Sequence, residues 1–325
     1  MNVAIIGCGL IGRKRAESLP PNLQLVGCFD ADSETGLIFS ADFKTKQFSS
    51  IEELLHAPRL DFVIIATRHD SLAATAILAL EAGKHVFIEK PGARNHEELQ
   101  KVFEKAQKQN LIVHIGYNHG FHPALSQALE LFQTGTIGEI MFLRARYGHG
   151  GRVGYESEWR ADKSKSGGGE LIDQGTHLID LAQRFLGKME LDYAATPTYF
   201  WNMPVEDNAF ISLKNSESKI AFLHVSCTEW KNMFSLEIYG HNGKIEINGL
   251  GRSYGVETLT LHLMKPEMGP PESKSWMYPE PDTSWAMEMS EFVQDLKTGS
   301  KKSDNLASSL EVLRLISEIY ARTNR

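Results

Sequence analysis

The chain has 325 residues, 42% of them hydrophobic and 23% charged, which fits a soluble globular protein of about two domains. A net charge of −7 without a long basic tract argues against nucleic acid as a partner, because that binding rests on neutralising phosphates. Cys8, Cys28 and Cys227 show no CxxC spacing and no apolar run approaches the ~20 residues of a membrane span, so the reading is a cytoplasmic protein with buried thiols and a small-molecule partner.

The first element, in "MNVAIIGCGLIGRKRAESLP", is a short buried strand followed by a glycine turn and a helix that runs to Pro20 and Pro21. The turn has the form GxGxxG at Gly7, Gly9 and Gly12, and Leu10 and Ile11 open the helix. Glycines in this pattern allow a tight turn, close approach of the backbone to a pyrophosphate, and tight helix–strand packing, while the helix N-terminus faces the anion. A second strand, "LQLVGCF", ends at Asp30, 23 positions after Gly7, where a carboxylate is placed for ribose hydroxyls. Asp32 and Glu34 follow, so a 2′-phosphate would meet carboxylates, and NAD is expected over NADP. Arg13 and Arg15, in the first helix, are the cations that could oppose this preference.

The alternation continues through a helix in "SSIEELLHA", where Ser49 and Glu52 fit a capping box, and a strand in "DFVIIAT". A helix over 71–82, a strand "HVFIE", a helix over 95–109 and a strand "LIVHIG" come next. Strands alternating with helices predict an α/β fold with a parallel, doubly wound sheet, whose ligands lie beyond the carboxyl ends of the strands. Thr67, Arg68 and His69, and Glu89, Lys90 and Pro91, occupy such ends.

After residue 118 the pattern becomes strand-rich, which places a domain boundary between 1–118 and 119–325. "EIMFLRARYG", "AFISLKN", "KIAFLHVSC", "SLEIYG" and "KIEING" are strand candidates, with Asn242-Gly243 as a hairpin signal, and they predict a large mixed, mostly antiparallel sheet in an α+β domain. Both faces look partly apolar, one for helices and the other for a second subunit in a homo-oligomer, a dimer or a tetramer. "GHGGRVGYESEWRADKSKSGGGE" is a long glycine-rich loop in which Tyr155, Trp159 and Arg160 could offer a sugar-stacking face and an anion contact. Arg144, Arg146, Arg152, Arg160, Lys163 and Lys165 outnumber the acids there, so a phosphorylated or nucleotide-linked sugar is conceivable.

The next run, "GGGELIDQGTHLID", is amphipathic at 100° per residue. Leu171, Ile172, Leu178, Ile179, Ala182, Phe185 and Leu186 share one side, and Asp173, His177, Asp180 and Arg184 the other. Gly175 falls inside the apolar arc, which implies a close approach to the helix. "KPEMGPPESKSWMYPEPD" reads as a Pro-rich loop and "LASSLEVLRLISEIYART" as a closing helix. His56, His114 and His262 lack metal-ligand spacing, and no metal site is expected.

"LEAGKHVFIEKP", residues 80–91, together with the N-terminal GxGxxG and the glycine-led Asp–His helix, resembles the Gfo/Idh/MocA oxidoreductases over essentially the full length. The resemblance implies a Rossmann domain that binds NAD, and the cofactor-binding residues are then Gly7, Gly9, Leu10, Ile11, Gly12 and Asp30 of the turn and second strand, the strand-end candidates Thr67, Arg68, His69, Glu89 and Lys90, and Asn118. It implies a catalytic group of Lys90, Asp173 and His177; Asp173 and His177 are read as facing the substrate too, alongside Tyr155, Trp159 and Arg160 of the glycine-rich loop. The activity implied is NAD-dependent dehydrogenation of a secondary alcohol of a sugar, cyclitol or sugar derivative. Other relatives use NAD transiently to hydrolyse glycosides, or bind the dinucleotide without catalysis. His177 would take the hydroxyl proton, Asp173 orient it or the substrate, and Lys90 stabilise the alkoxide, with Lys90 as the alternative base. The Lys90–Pro91 bond is expected to be cis at this tight corner. Two departures stand out: Arg68 and His69 replace the family's Pro-Asn pair, with Leu72 at a later His position, and Gly120 replaces the Arg of the Asn-x-Arg-Phe pattern.

Overall fold

The computed structural model describes residues 1–299 and 305–323. The chain divides into two compact units, Met1–Tyr117 with Trp285–Leu313, and Asn118–Ser284 with Arg314–Arg325.

In the first unit β1 (Asn2–Ile6), β2 (Gln24–Phe29), β3 (Phe62–Ile65), β4 (His85–Glu89) and β5 (Val113–Gly116) form a wholly parallel sheet of order β2-β1-β3-β4-β5. The helices between them are α1 (Leu10–Glu17), α2 (Ser33–Asp42), α3 (Ile51–Leu55), α4 (His69–Glu81) and α5 (His96–Gln109). The strand order reverses between β1 and β3, and Gly7 follows β1 at that switch point, where doubly wound sheets bind ligands. Each helix start that carries a side-chain cap has a physical cause in sequence: Asp32 accepts from the Glu34 N–H, Ser50 from Glu53, and Asn95 from Glu98. The box at α3 is therefore Ser50 with Glu53, one residue later than Ser49 with Glu52, and Glu53 Oε2 reaches back to the Ser49 N–H at 3.1 Å.

One face of this sheet, Val3, Ile5, Phe62, Ile64 and Phe87, is covered by Met289, Phe292 and Val293. These three lie at helical spacing on α9 (Ser284–Thr298), with Phe292 edge-on to Phe62 and Phe87. The core of the first unit thus includes a segment that a division at 118/119 assigns to the second domain.

The second unit is built on an eight-stranded sheet of order β13-β12-β11-β10-β6-β9-β8-β7. Its strands are β6 (Ile140–Gly148), β7 (Glu190–Ala195), β8 (Asn208–Lys214), β9 (Ile220–Ser226), β10 (Met233–Gly240), β11 (Gly243–Asn248), β12 (Glu257–Leu263) and β13 (Glu272–Tyr278). All pairs are antiparallel except β6–β9. Parity along β6 and β9 sends Leu143, Ala145, Tyr147, Leu223 and Val225 inward and Phe142, Arg144, Arg146 and Phe222 outward. Helix α6 (Pro123–Gln133) packs on β11–β13 and α8 (Thr176–Leu186) on β6 and β9. A short α7 (Lys163–Ser166) precedes α8, and α10 (Asn305–Thr323) closes the described chain.

The stretch read as a Pro-rich loop contains β13. As an edge strand with nearly every residue exposed, it has no inward row of apolar residues to reveal it. Among the described residues no helix is long and apolar enough to cross a membrane.

Candidate active site

The first unit supplies the glycine turn. Gly7 has φ +96°, and a Cβ there would lie 2.6 Å from the carbonyl carbon of Ala66, at the end of β3. A Cβ on Gly12 would lie 2.0 Å from the Gly7 oxygen. These two glycines are required by the protein's own packing. Gly9 differs, since nothing stands within 4 Å of the position its Cβ would take. Its side opens to space that a ligand can fill, next to the exposed Leu10 and half-buried Ile11 at the start of α1. Asp30 Oδ2 accepts the Cys8 N–H at 2.7 Å and Oδ1 the Asp32 N–H at 2.9 Å, so this carboxylate ties the glycine turn to the end of β2. A carboxylate has about four lone-pair directions, and capacity for ribose hydroxyls remains. The turn, the open side at Gly9 and Asp30 together fit a dinucleotide.

The other strand ends in this unit divide. Thr67 and Arg68 follow β3, Arg68 exposed with Nη2 3.4 Å from Asp70, and His69 is buried as the first residue of α4. Lys90, half-buried, follows β4, and its bond to Pro91 is cis as the corner predicts. Glu89, expected at the cofactor, points its carboxylate elsewhere: Oε1 lies 2.5 Å from Arg15 Nε inside the unit. Arg15 Nη1 is 2.8 Å from Glu288 Oε2, and the guanidinium sits 4.4 Å from the ring centres of Phe87 and Trp285. Burial raises the Glu89 carboxyl above its ordinary range, opposed by the Arg15 charge.

In the second unit the glycine lead has a packing cause. A Cβ on Gly168 would sit 1.9 Å from the Tyr320 hydroxyl oxygen, and one on Gly169 2.0 Å from the Glu206 carbonyl oxygen. The atoms that crowd these glycines belong to the same unit. Glu206, buried, accepts from Gly169 N and Leu171 N at 3.0 Å and from Tyr320 Oη at 2.8 Å, which satisfies N–H groups at the start of the helical run. The run opens with a π-helical turn, Leu171–Gly175, a local widening found mostly at functional sites. Gly175 lies where the run rests on β9, since a Cβ would be 3.0 Å from Leu171 Cδ1 and 3.5 Å from Val225 Cγ2.

The polar stripe on this run is buried: Asp173 is 6% exposed, His177 3% and Asp180 5%. His177 stacks on His119 with ring centres 3.6 Å apart, and Tyr147 stands edge-on to both. Asp173 Oδ2 accepts from Arg160 Nε at 3.0 Å, and Arg160 also lies over the Trp159 ring. The Asp173 charge holds the Arg160 guanidinium above its ordinary pKa. Tyr155 is no open stacking face: its ring is buried between His149 and Trp201. Asn118, buried, donates to Ser284 Oγ at 2.9 Å. Asp180 pairs with Arg184 at 2.8 Å, and the Arg184 guanidinium carbon lies 2.5 Å from where a Gly120 Cβ would be. Gly120, the departure from the Asn-x-Arg-Phe pattern, thus gives its space to an arginine from α8.

Sequence reasoning brought Arg160, Asp173 and His177 into one neighbourhood, and the structure adds four residues it missed. Glu170 is 2% exposed and 3.5 Å from His149 Nε2. Tyr147 and Tyr254 pack at 4.9 Å, and His119 covers His177. Burial, with Glu170 and Asp173 nearby, raises both phenols above their ordinary range. Strand parity on β6 placed Tyr147 inward and could have named it; nothing local marks Glu170, His119 or Tyr254.

Residues 1–117 match the family model described as an oxidoreductase family with an NAD-binding Rossmann fold, and residues 125–246 match the Gfo/Idh/MocA C-terminal domain. Levoglucosan dehydrogenase of Pseudarthrobacter phenanthrenivorans is 29% identical over 222 residues, covering 63% of this chain and 56% of that protein, so the chain aligns with just over half of this relative's length. A structure of levoglucosan dehydrogenase with NADH and levoglucosan superimposes with a TM-score of 0.90 at 22% identity, over 100% of this chain and 97% of that one. A 3-ketoreductase from Actinomadura kijaniata with NADP does so with a TM-score of 0.85 at 20% identity, over 99% and 97%. At these identities the structural matches speak for the fold. The glycine turn, the cis corner at Lys90 and the Asp–His helix therefore sit in a chain that belongs to the Gfo/Idh/MocA family of NAD(P)-dependent oxidoreductases.

Proposed function

We propose that the protein is an NAD-dependent dehydrogenase acting on a secondary alcohol of a sugar, cyclitol or sugar derivative. The observation that carries this reading is the buried imidazole of His177, 3% exposed, one turn beyond Asp173 on a π-turn of a family member. A merely solvated polar stripe would leave both groups in water. When bound, the dinucleotide supplies the hydride acceptor or donor. His177 takes the hydroxyl proton at a ring nitrogen as the alcohol becomes a carbonyl, since hydride loss requires proton removal and an imidazole suits that near neutrality. Asp173, held by Arg160, orients the imidazole or the substrate, and the Lys90 ammonium stabilises the developing alkoxide.

NAD over NADP is supported by the fate of the two opposing arginines. Arg13 pairs with Asp42 at 2.7 Å and Arg15 is buried between two carboxylates, while Asp32 caps α2. A tighter dissociation constant for NADP would overturn this preference. Self-association is proposed through the outward sheet face, where Phe142, Ile220 and Phe222 are exposed; a monomer at micromolar concentration in sedimentation would refute it.

Following NADH absorbance and glycoside release on the same substrates tests the reading, because a hydrolase with transient redox would release aglycone without net NADH. His177→Ala is expected to lower kcat by roughly 10²–10⁴ while leaving NAD affinity nearly intact. Near-wild-type turnover in that variant would remove His177 from the mechanism.

A further inference from the structure

Six basic side chains in and before the 148–170 loop raised the prospect of a phosphate or nucleotide on the substrate. Their placement says otherwise. Arg144 and Arg146 lie on the outward sheet face, opposite Tyr147, and Arg144 is 2.7 Å from Glu237. Arg152 pairs with Glu158 at 2.8 Å, Arg160 with Asp173 at 3.0 Å and Lys165 with Asp162 at 2.7 Å, and Lys163 is exposed on α7. Arg184, on the same helix as His177, is likewise answered by Asp180 at 2.8 Å.

Two carboxylates lie deeper than those cations. Glu170 and Asp173 stand three residues apart on one helical run, both lie close to His149, Tyr147, Tyr155 and Tyr254, and they are 2% and 6% exposed. Burial, and then the charges of both carboxylates, raises the phenols of Tyr147, Tyr155 and Tyr254 above their ordinary range. An ionised carboxylate only accepts hydrogen bonds, and a phenol both donates and accepts. A sugar hydroxyl answers both kinds of group without bringing charge. With Arg160 already answered by Asp173 and His149 held 3.5 Å from Glu170, this pair leaves no spare positive charge to receive a phosphate dianion, whose desolvation would go uncompensated.

Resting on the dehydrogenase reading, we propose that the substrate is an uncharged polyol or sugar, and that Glu170, with Asp173, determines specificity by accepting hydrogen bonds from its hydroxyls and turning phosphorylated and nucleotide-linked forms away. Glu170 is the residue of this pair that no sequence motif marks.

The test is a set of initial rates with NAD on matched compounds: glucose, levoglucosan and myo-inositol against glucose 6-phosphate and UDP-N-acetylglucosamine. The expected result is a kcat/KM for a neutral compound roughly 100-fold or more above that for any charged one. Glu170→Gln should raise KM for the neutral substrate more than it lowers kcat, and should narrow the gap to the charged forms. Preference for a phosphorylated or nucleotide-linked compound, or an unchanged ratio in Glu170→Gln, overturns this inference and leaves the dehydrogenase reading standing. No turnover on any compound by an enzyme that binds NAD overturns both.

Discussion

Arg15 carries its charge at 1% exposure, between Glu89 and Glu288 and between the rings of Phe87 and Trp285. Taking such a cation out of water is costly, and the two carboxylates offset the cost only while all three are present. Because Glu89 directly precedes Lys90, this network also fixes the strand end that leads into the cis corner. Arg15→Met keeps apolar bulk between the rings and leaves two buried carboxylates unanswered. Urea unfolding at neutral pH should show a loss of roughly 3–5 kcal/mol. The sign of its pH dependence follows from Glu89, whose folded pKa burial already raises. Without Arg15 the protonated form is favoured still more, so the deficit should be greatest above the ordinary carboxyl range and shrink as pH falls toward it. A deficit that does not change with pH would show that packing, not charge, is what Arg15 supplies.

At the scale of elements, β4 begins with His85, whose Nδ1 accepts the Ile112 N–H at 2.9 Å at the entry to β5. Burial lowers its pKa, and the hydrogen bond needs the bare nitrogen, so the folded state prefers the neutral ring. The unfolded chain then takes up the proton first on acidification, and the stability this ring contributes is present above about pH 6.5 and is lost as pH falls through that value. His85→Gln keeps an acceptor and does not titrate. Its melting temperature should fall less than the wild type's between pH 7.5 and 5.5, and parallel profiles would exclude the ring as the cause. The elements most legible in sequence were those with a period: the buried strands of the first unit, the glycine turn, the amphipathic run through His177. Edge strand β13 was hidden because exposure leaves no period, and α9 because its apolar stripe answers a face more than 200 residues earlier in sequence. The same limit held at the site. Asp173 and His177 stand at helical spacing in one run, but Glu170, His119 and Tyr254 join them only through the packing of separate elements.

For the whole molecule, the two units are not two successive stretches of chain. The first is completed by residues 285–313, which bring Met289, Phe292 and Val293 to its core. A fragment of residues 1–118 would uncover Val3, Phe62 and Phe87, apolar surface worth roughly 25 cal/mol per Å². Such a fragment should lack a cooperative thermal transition, and a sharp one matching the full chain would show that α9 is dispensable. Truncation experiments on this chain therefore have to keep its C-terminal helices if dinucleotide binding is to be measured.

Gly9 stands in an extended conformation, φ −69° and ψ −165°, that any residue adopts, with nothing within 4 Å of where a methyl would go. The fold gains nothing from glycine here and loses by it, since glycine leaves the unfolded chain more freedom. Gly9→Ala should therefore raise the melting temperature of the free protein, by roughly 0.4–1 kcal/mol in stability. The same methyl would fill the space left for a pyrophosphate, so the further rise that saturating NAD gives the wild type should vanish. A protein made sturdier and deaf to its ligand by one carbon atom would mark this glycine as a concession to binding. A lower melting temperature in the free variant would return Gly9 to the fold, and an undiminished response to NAD would place the pyrophosphate elsewhere.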